Sequence, residues 1–138
     1  MKIYFSASID GAKGDDEFNT AVITHLKRYG SVLSELFFSK EKRKIENLSV
    51  KEIHDMDLAW VEEADLIVAE VSAPSLGVGY EIKHALHKGK KVLCLWKKID
   101  QKNLSMMISG APGVRIISYN DKEHALKEID DFFLQYNK

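Results

Sequence analysis

Apolar and polar positions along this chain switch between two periods. Short contiguous apolar runs recur: Ile3-Tyr4-Phe5, Val32-Leu33, Leu66-Ile67-Val68-Ala69, Val92-Leu93-Cys94-Leu95-Trp96, and the run from Val114 to Tyr119. Most are rich in β-branched or aromatic residues and bounded by polar or turn residues, which predicts five strands. Between them the apolar spacing becomes three or four. Phe18, Val22, Leu26 and Tyr29 form one such stripe, and Ala125, Ile129, Phe132, Phe133 and Tyr136 form another. Ile53, Leu58 and Val61 are the core candidates of a third helix.

Local signals place the ends of these elements. The first strand is expected over 2–7. A helix from Asp16 is expected to close at Gly30 as a C-cap. Ser49 followed by Glu52 is a capping-box pattern, predicting a helix that runs to about Glu63. The strand over 66–71 breaks at Ser72-Ala73-Pro74-Ser75. A helix is expected from Tyr80 to about Lys88, closed by Gly89. A short helix over 104–108 and a turn over 110–113 precede the fifth strand, and the last helix is expected over 121–136. The polar, basic stretch 35–48, with Lys40, Lys42, Arg43 and Lys44, reads as a long mobile connection, and such loops often bind ligands or act as lids.

Apolar strands alternating with amphipathic helices predict an α/β fold with a parallel sheet covered on both faces. Right-handed crossovers then gather the strand-to-helix loops on one edge. The expectation is a three-layer, flavodoxin- or Rossmann-like domain over residues 1–138. Its five-stranded parallel sheet should have order 2-1-3-4-5, with a crevice between strands 1 and 3.

Composition narrows the function classes. A formal net charge of −1 gives no bulk attraction to nucleic acid or an anionic membrane. The one cysteine, Cys94, cannot form an internal disulfide and sits mid-strand as a core thiol. No apolar run approaches the ~18 residues of a membrane span. A soluble protein of a reducing, cytoplasmic compartment is expected, with no metal: His84 and His87 lack a third ligand, and His25 and His124 read as solvated. Trp60 and Trp96 read as packing residues, and His54 could orient Asp57 or lie on the surface.

The chemistry concentrates in Asp65 to Glu81, DLIVAEVSAPSLGVGYE. If strands 1 and 3 are neighbours, the loop holding Ser8 faces the loop holding Ser75, Gly77 and Gly79. Two hydroxyls, backbone amides and a helix start then suit a small anion, and phosphate is the obvious one. Neither a Walker A loop nor a GxGxxG fingerprint is present. The glycine pair fits equally well as close packing of helix on sheet. Glu81 and Asp57 could meet across the crevice as the carboxyl pair of glycosidic cleavage, which at about 5 Å allows a nucleophile and an acid. Each alone is also an ordinary helix acid.

Taken together, IYFSASI at 3–9, HDMDLAW at 54–60, AEVSAPSLGVGYE at 69–81 and LSMMI at 104–108 resemble the 2'-deoxynucleoside 5'-phosphate N-hydrolases of the nucleoside 2-deoxyribosyltransferase superfamily. The resemblance covers nearly the whole chain. It implies Glu81 as nucleophile, Asp57 as the group that protonates the leaving base or orients the nucleophile, and Tyr4 beside the sugar. It implies substrate binding by Ser8, Ile9, Asp10, Gly11, Ser75, Gly77 and Gly79, with the phosphate on Ser8 and Ser75. Ser105 would come from the partner subunit of a homodimer that shares its active sites. No cofactor is implied. The chain departs from the family pattern at Asp10, where a basic residue commonly stands; an acid there opposes a dianionic phosphate unless it points away, and Lys13 is the nearby cation.

The implied reaction is hydrolysis of the N-glycosidic bond of a 2'-deoxynucleoside 5'-monophosphate. It gives free base and 2-deoxyribose 5-phosphate through a covalent glycosyl-Glu81 intermediate. Three rivals share these residues: deoxyribosyl transfer to a second base, hydrolysis of a modified-base ribonucleotide, and nucleotide binding without turnover. Base preference would be set in the stretch 35–48.

Overall fold

The computed structural model describes residues 1–9, 15–39, 45–98 and 104–138. Five parallel strands form one sheet: β1 (Lys2–Ser6), β2 (Ser31–Val32), β3 (Leu66–Glu70), β4 (Lys91–Lys97) and β5 (Val114–Tyr119). Their order is β2-β1-β3-β4-β5, the expected order, which leaves β1 and β3 side by side with Tyr4 opposite Ile67 and Ser6 opposite Ala69. Strand period decides which layer each side chain joins. Ile3, Phe5, Leu66, Val68, Leu93 and Leu95 face α1 (Asp16–Leu26) and α5 (Lys122–Tyr136) in one core. The alternate residues Tyr4, Ile67, Ala69, Val92 and Cys94 face α2 (Val50–Glu63) and α3 (Leu76–His87) in the other. Each large apolar side chain removed from water in these layers contributes roughly 1.5–3 kcal/mol before entropy is counted.

Capping fixes the helix starts. Ser49 and Glu52 form the full capping box of α2. Asp15 accepts from the Phe18 amide, and Asp121 accepts from the His124 amide. Gly89 follows α3 with φ of 71°, a left-handed position that suits glycine.

Several boundaries differ from expectation for local reasons. Helix α3 starts at Leu76 rather than Tyr80, because Ser75 accepts from the Val78 amide and caps the helix there. Gly77 and Gly79 thus lie in its first turn. Helix α1 ends at Leu26, short of Gly30. Gly30 serves a close approach instead: a Cβ there would stand 2.1 Å from the Met1 carbonyl oxygen. Strand β2 has only two residues, and Ser34 extends its contact with β1 by side chain: its hydroxyl accepts from the Phe5 amide at 2.9 Å and donates to the Phe5 carbonyl at 2.6 Å. In the stretch expected to be mobile, Glu35–Phe38 forms a 3₁₀ turn. Phe37 meets Trp60 edge-on at 5.4 Å and Phe38 packs on Phe5 at 5.2 Å, so the turn is anchored by aromatic burial. The basic run Lys40 to Lys44 lies outside the described residues. The short helix α4 is Met106–Ser109, capped by Ser105. His25 is not solvated: its side chain is 13% exposed and its Nε2 lies 2.6 Å from Asp130 on α5.

Candidate active site

Tyr4 and Ser6 sit two residues apart on β1, so both side chains leave the sheet on the α2–α3 side. Asp57 descends from α2 on the stripe that also carries Ile53, Val61 and Ala64. Glu81 descends from α3 on the stripe of Val78, Ile82 and Ala85. The four groups meet. The Tyr4 hydroxyl donates to Asp57 Oδ1 at 2.6 Å, and the Ser6 hydroxyl donates to Glu81 Oε2. Tyr4 and Ser6 are each 2% exposed, while the two carboxyls are half-buried and line the cleft.

Electrostatics make the pair unusual. Burial pushes the Glu81 carboxyl up, the neighbouring Asp57 carboxyl pushes it further, and the Ser6 hydroxyl pulls it partly back, leaving it at about 8. The Tyr4 hydroxyl is held far above its ordinary value by burial and by the two carboxyls it faces. The pair therefore holds one proton near neutrality: one acid and one carboxylate side by side.

This cluster forms the floor of a cleft of about 490 Å³, walled by Ile9, Phe37, Phe38, Ile45, Glu46, Ile53 and His54. Apolar walls over a few convergent polar groups are typical of a small-molecule site. His54 bonds Asp55 and the Tyr80 hydroxyl, each at 2.9 Å, and Asp57 is not among its partners. Ser8, Ser75, Gly79 and Ser105 line two other clefts. Ser8 lines a cavity of about 510 Å³ with Asn19, Glu70, Ser72 and Tyr119. Asn19 there is 2% exposed, and its Oδ1 has no hydrogen-bond partner among the described residues. Ser75, Gly79 and Ser105 line an apolar groove of about 930 Å³ with Ile82, Leu86, Met106 and Met107. Asp10 and Gly11 lie outside the described residues, as does Lys13.

Close packing does not explain the glycines of α3. A Cβ at Gly79 would meet nothing within 4 Å, and one at Gly77 only Ser75 Oγ at 3.9 Å. Ser6 is the functional candidate that sequence reasoning left out of the site. Its parity with Tyr4 on β1 is the signal that would have found it.

Residues 3–125 match the family model for nucleoside 2-deoxyribosyltransferase, nine-tenths of the chain. The chain belongs to that family. A relative from Trichoplax adhaerens, assigned provisionally as a 2'-deoxynucleoside 5'-phosphate N-hydrolase, is 45% identical over 134 residues, covering 95% of this chain and 92% of its own. The 5-hydroxymethyl-dUMP N-hydrolase of Danio rerio is 38% identical over 137 residues, covering 96% of both chains. The CMP N-glycosidase of Clostridium botulinum shares the fold, with a TM-score of 0.69 over 94% of this chain and 99% of that one at 21% identity. Among the described residues of this family member, no group of three or more His, Cys, Asp or Glu side chains is placed to hold a metal. No described helix is long and apolar enough to cross a membrane.

Proposed function

We propose that this chain hydrolyses the N-glycosidic bond of a 2'-deoxynucleoside 5'-monophosphate, releasing free base and 2-deoxyribose 5-phosphate. The observation that carries the reading is the half-buried Asp57–Glu81 pair, hydrogen-bonded to Tyr4 and Ser6 at the floor of an apolar-walled cleft. Its relatives' N-hydrolase names supply the substrate class.

Glu81, as carboxylate, attacks C1' while Asp57 gives its proton to the departing base nitrogen. The C1'–N bond breaks and a C1'–O ester to Glu81 forms. Asp57, now ionised, takes a proton from water, whose oxygen attacks C1' and frees Glu81. Positive charge that develops on the sugar in both steps faces the carboxyl pair, which stabilises it. The absent 2'-oxygen makes that charge easier to form. Phe37, Phe38 and Ile53 supply the wall for a flat base. Ser8, Ile9, Ser75 and the bare first turn of α3, with Gly77 and Gly79, supply hydroxyls and approachable backbone for the phosphate.

The phosphate half of the site is completed by a second copy of the chain. Leu76, Met106 and Met107 are 96%, 88% and 83% exposed around the groove that holds Ser75 and Ser105. A homodimer that covers this face brings Ser105 of one copy toward Ser75 of the other. A cytoplasmic location suits a free nucleotide substrate and the unpaired Cys94 thiol.

The test is a panel of deoxynucleoside and ribonucleoside monophosphates, assayed for free base by chromatography with and without a second base. Release from deoxynucleotides by the wild type, lost in Glu81→Ala, is expected. Near-normal release by Glu81→Ala sinks the reading, and base exchange would turn it into transfer. Light scattering should give a dimer, and Ser105→Ala should raise KM for nucleotides more than for nucleosides.

A further inference from the structure

The geometry points to Ser6 as a positioning residue that draws the Glu81 carboxyl toward its ionised form and fixes which of its oxygens is free to attack. The inference rests on the reading of Glu81 as nucleophile and Asp57 as acid.

The difficulty that Ser6 resolves is built into the site. Two neighbouring carboxyls with one proton between them exist in two forms, and only the form with an ionised Glu81 can attack C1' while Asp57 protonates the base. Burial and the adjacent Asp57 both favour a protonated Glu81, the unproductive form. The groups that face Glu81 among the described residues are Asp57 from α2, Tyr4 from β1 and Ser6 from β1. Tyr4 favours the unproductive form too, because its hydroxyl donates to Asp57 Oδ1. Ser6 favours the productive one. Its hydroxyl donates to Glu81 Oε2, whereas the donor that Asp57 receives comes from Tyr4.

A hydrogen bond to the charged form of a buried acid favours that form. The bond also fixes geometry. With Oε2 occupied by Ser6, Oε1 is the oxygen left for C1'. Ser6 is 2% exposed and lies in register beside Ala69 on β3, so the donor is rigidly placed and shielded from competing water.

The experiment is the pH profile of kcat/KM, with kcat and KM separately, for wild type, Ser6→Ala and Ser6→Cys on the deoxynucleotide that the wild type turns over fastest. Loss of the donor should lower kcat about tenfold to a hundredfold near neutrality, with KM within about twofold. The alkaline limb, where the pair loses its last proton, should move to higher pH. Cysteine, a weak donor of similar shape, should fall between the two. A variant that only disturbs packing would lose rate or thermal stability without moving the limb.

Unmoved limbs in both variants overturn the inference, as does a cysteine variant equal to alanine in both rate and limb. If Ser6→Ala does not fold, judged by circular dichroism, Ser6→Cys against wild type carries the test by the position of its limb. The two readings fail separately. Near-normal turnover by Glu81→Gln removes the nucleophile itself, whereas an inactive Glu81→Gln beside unmoved Ser6 profiles removes only the role of Ser6.

Discussion

Two glutamates at the carboxyl edge of the sheet, Glu70 buried and Glu81 half-buried, are both pushed above their ordinary value, yet they are built differently. Glu70 ends β3 and shares the strand parity of Leu66 and Val68, so it turns toward α1 and α5. Its Oε1 accepts the Ser72 amide at 2.5 Å and its Oε2 accepts the Tyr119 hydroxyl at 2.6 Å. Burial raises it, while those donors and the Lys97 charge lower it. Glu81 lies beyond the opposite face and meets another carboxyl. One acid has each oxygen matched by a donor. The other is pressed against a like charge that nothing in the fold requires. A satisfied buried acid stabilises a structure, whereas a frustrated pair costs stability and is retained where it does chemistry.

The comparison is sharpest when each acid is made an amide. Glu81→Gln should cut base release about a thousandfold or more, while Glu70→Gln should stay within about fivefold, both read by chromatography. Equal losses would erase the distinction. Stability should respond in the opposite sense. Glu70→Gln turns an NH₂ toward a donor and should cost about 1–3 kcal/mol in urea unfolding, whereas Glu81→Gln should raise the melting temperature at pH 8 and above.

The pH dependence follows from the sign of the Glu81 shift. Its folded value, about 8, lies above the unfolded value of 4.5. Between these values the folded state binds more protons, so its contribution to stability falls as pH rises from about 4.5 to 8 and levels off beyond. Glu81→Gln should remove that slope from a series of thermal melts. A slope unchanged in Glu81→Gln would place the titration elsewhere. Asp57→Asn should move the Glu81 titration down toward the usual range, observable by carbon NMR of the side-chain carboxyl, and should lower turnover by about 10²–10⁴ through loss of the acid. The smallest effect is expected for Tyr119→Phe, which removes one donor to Glu70: about 1 kcal/mol of stability and unchanged turnover.

Much of this was legible in the chain. Contiguous apolar runs predicted the five strands, three-to-four spacing predicted the main helices, and their alternation led to the strand order of a doubly wound sheet. Glu81 shares the stripe of Val78, Ile82 and Ala85, which marks an acid that points inward. The resemblance to the N-hydrolases singled out Tyr4, Asp57 and Glu81, and these three share one cleft. Other points needed coordinates. The start of α3 turned on whether Ser75 capped it, a choice of one hydrogen bond. The order at Glu35–Phe38 depended on Trp60 and Phe5, distant in sequence, so its local composition read as loop. The predicted binding residues Ser8, Ser75 and Ser105 fall on clefts other than the acid pair's own.

The sequence by itself determined the parallel sheet, its strand order and the residue types of the chemistry, because periodicity and composition are local properties. Only the tertiary structure decided that Asp57 and Glu81 share one cleft, that Asp57 raises the cost of charging Glu81 there, and that Ser6 bonds Glu81 while Tyr4 bonds Asp57. Those facts depend on where two helices cross the same strand. Protonation of a carboxyl is set by what surrounds it in space.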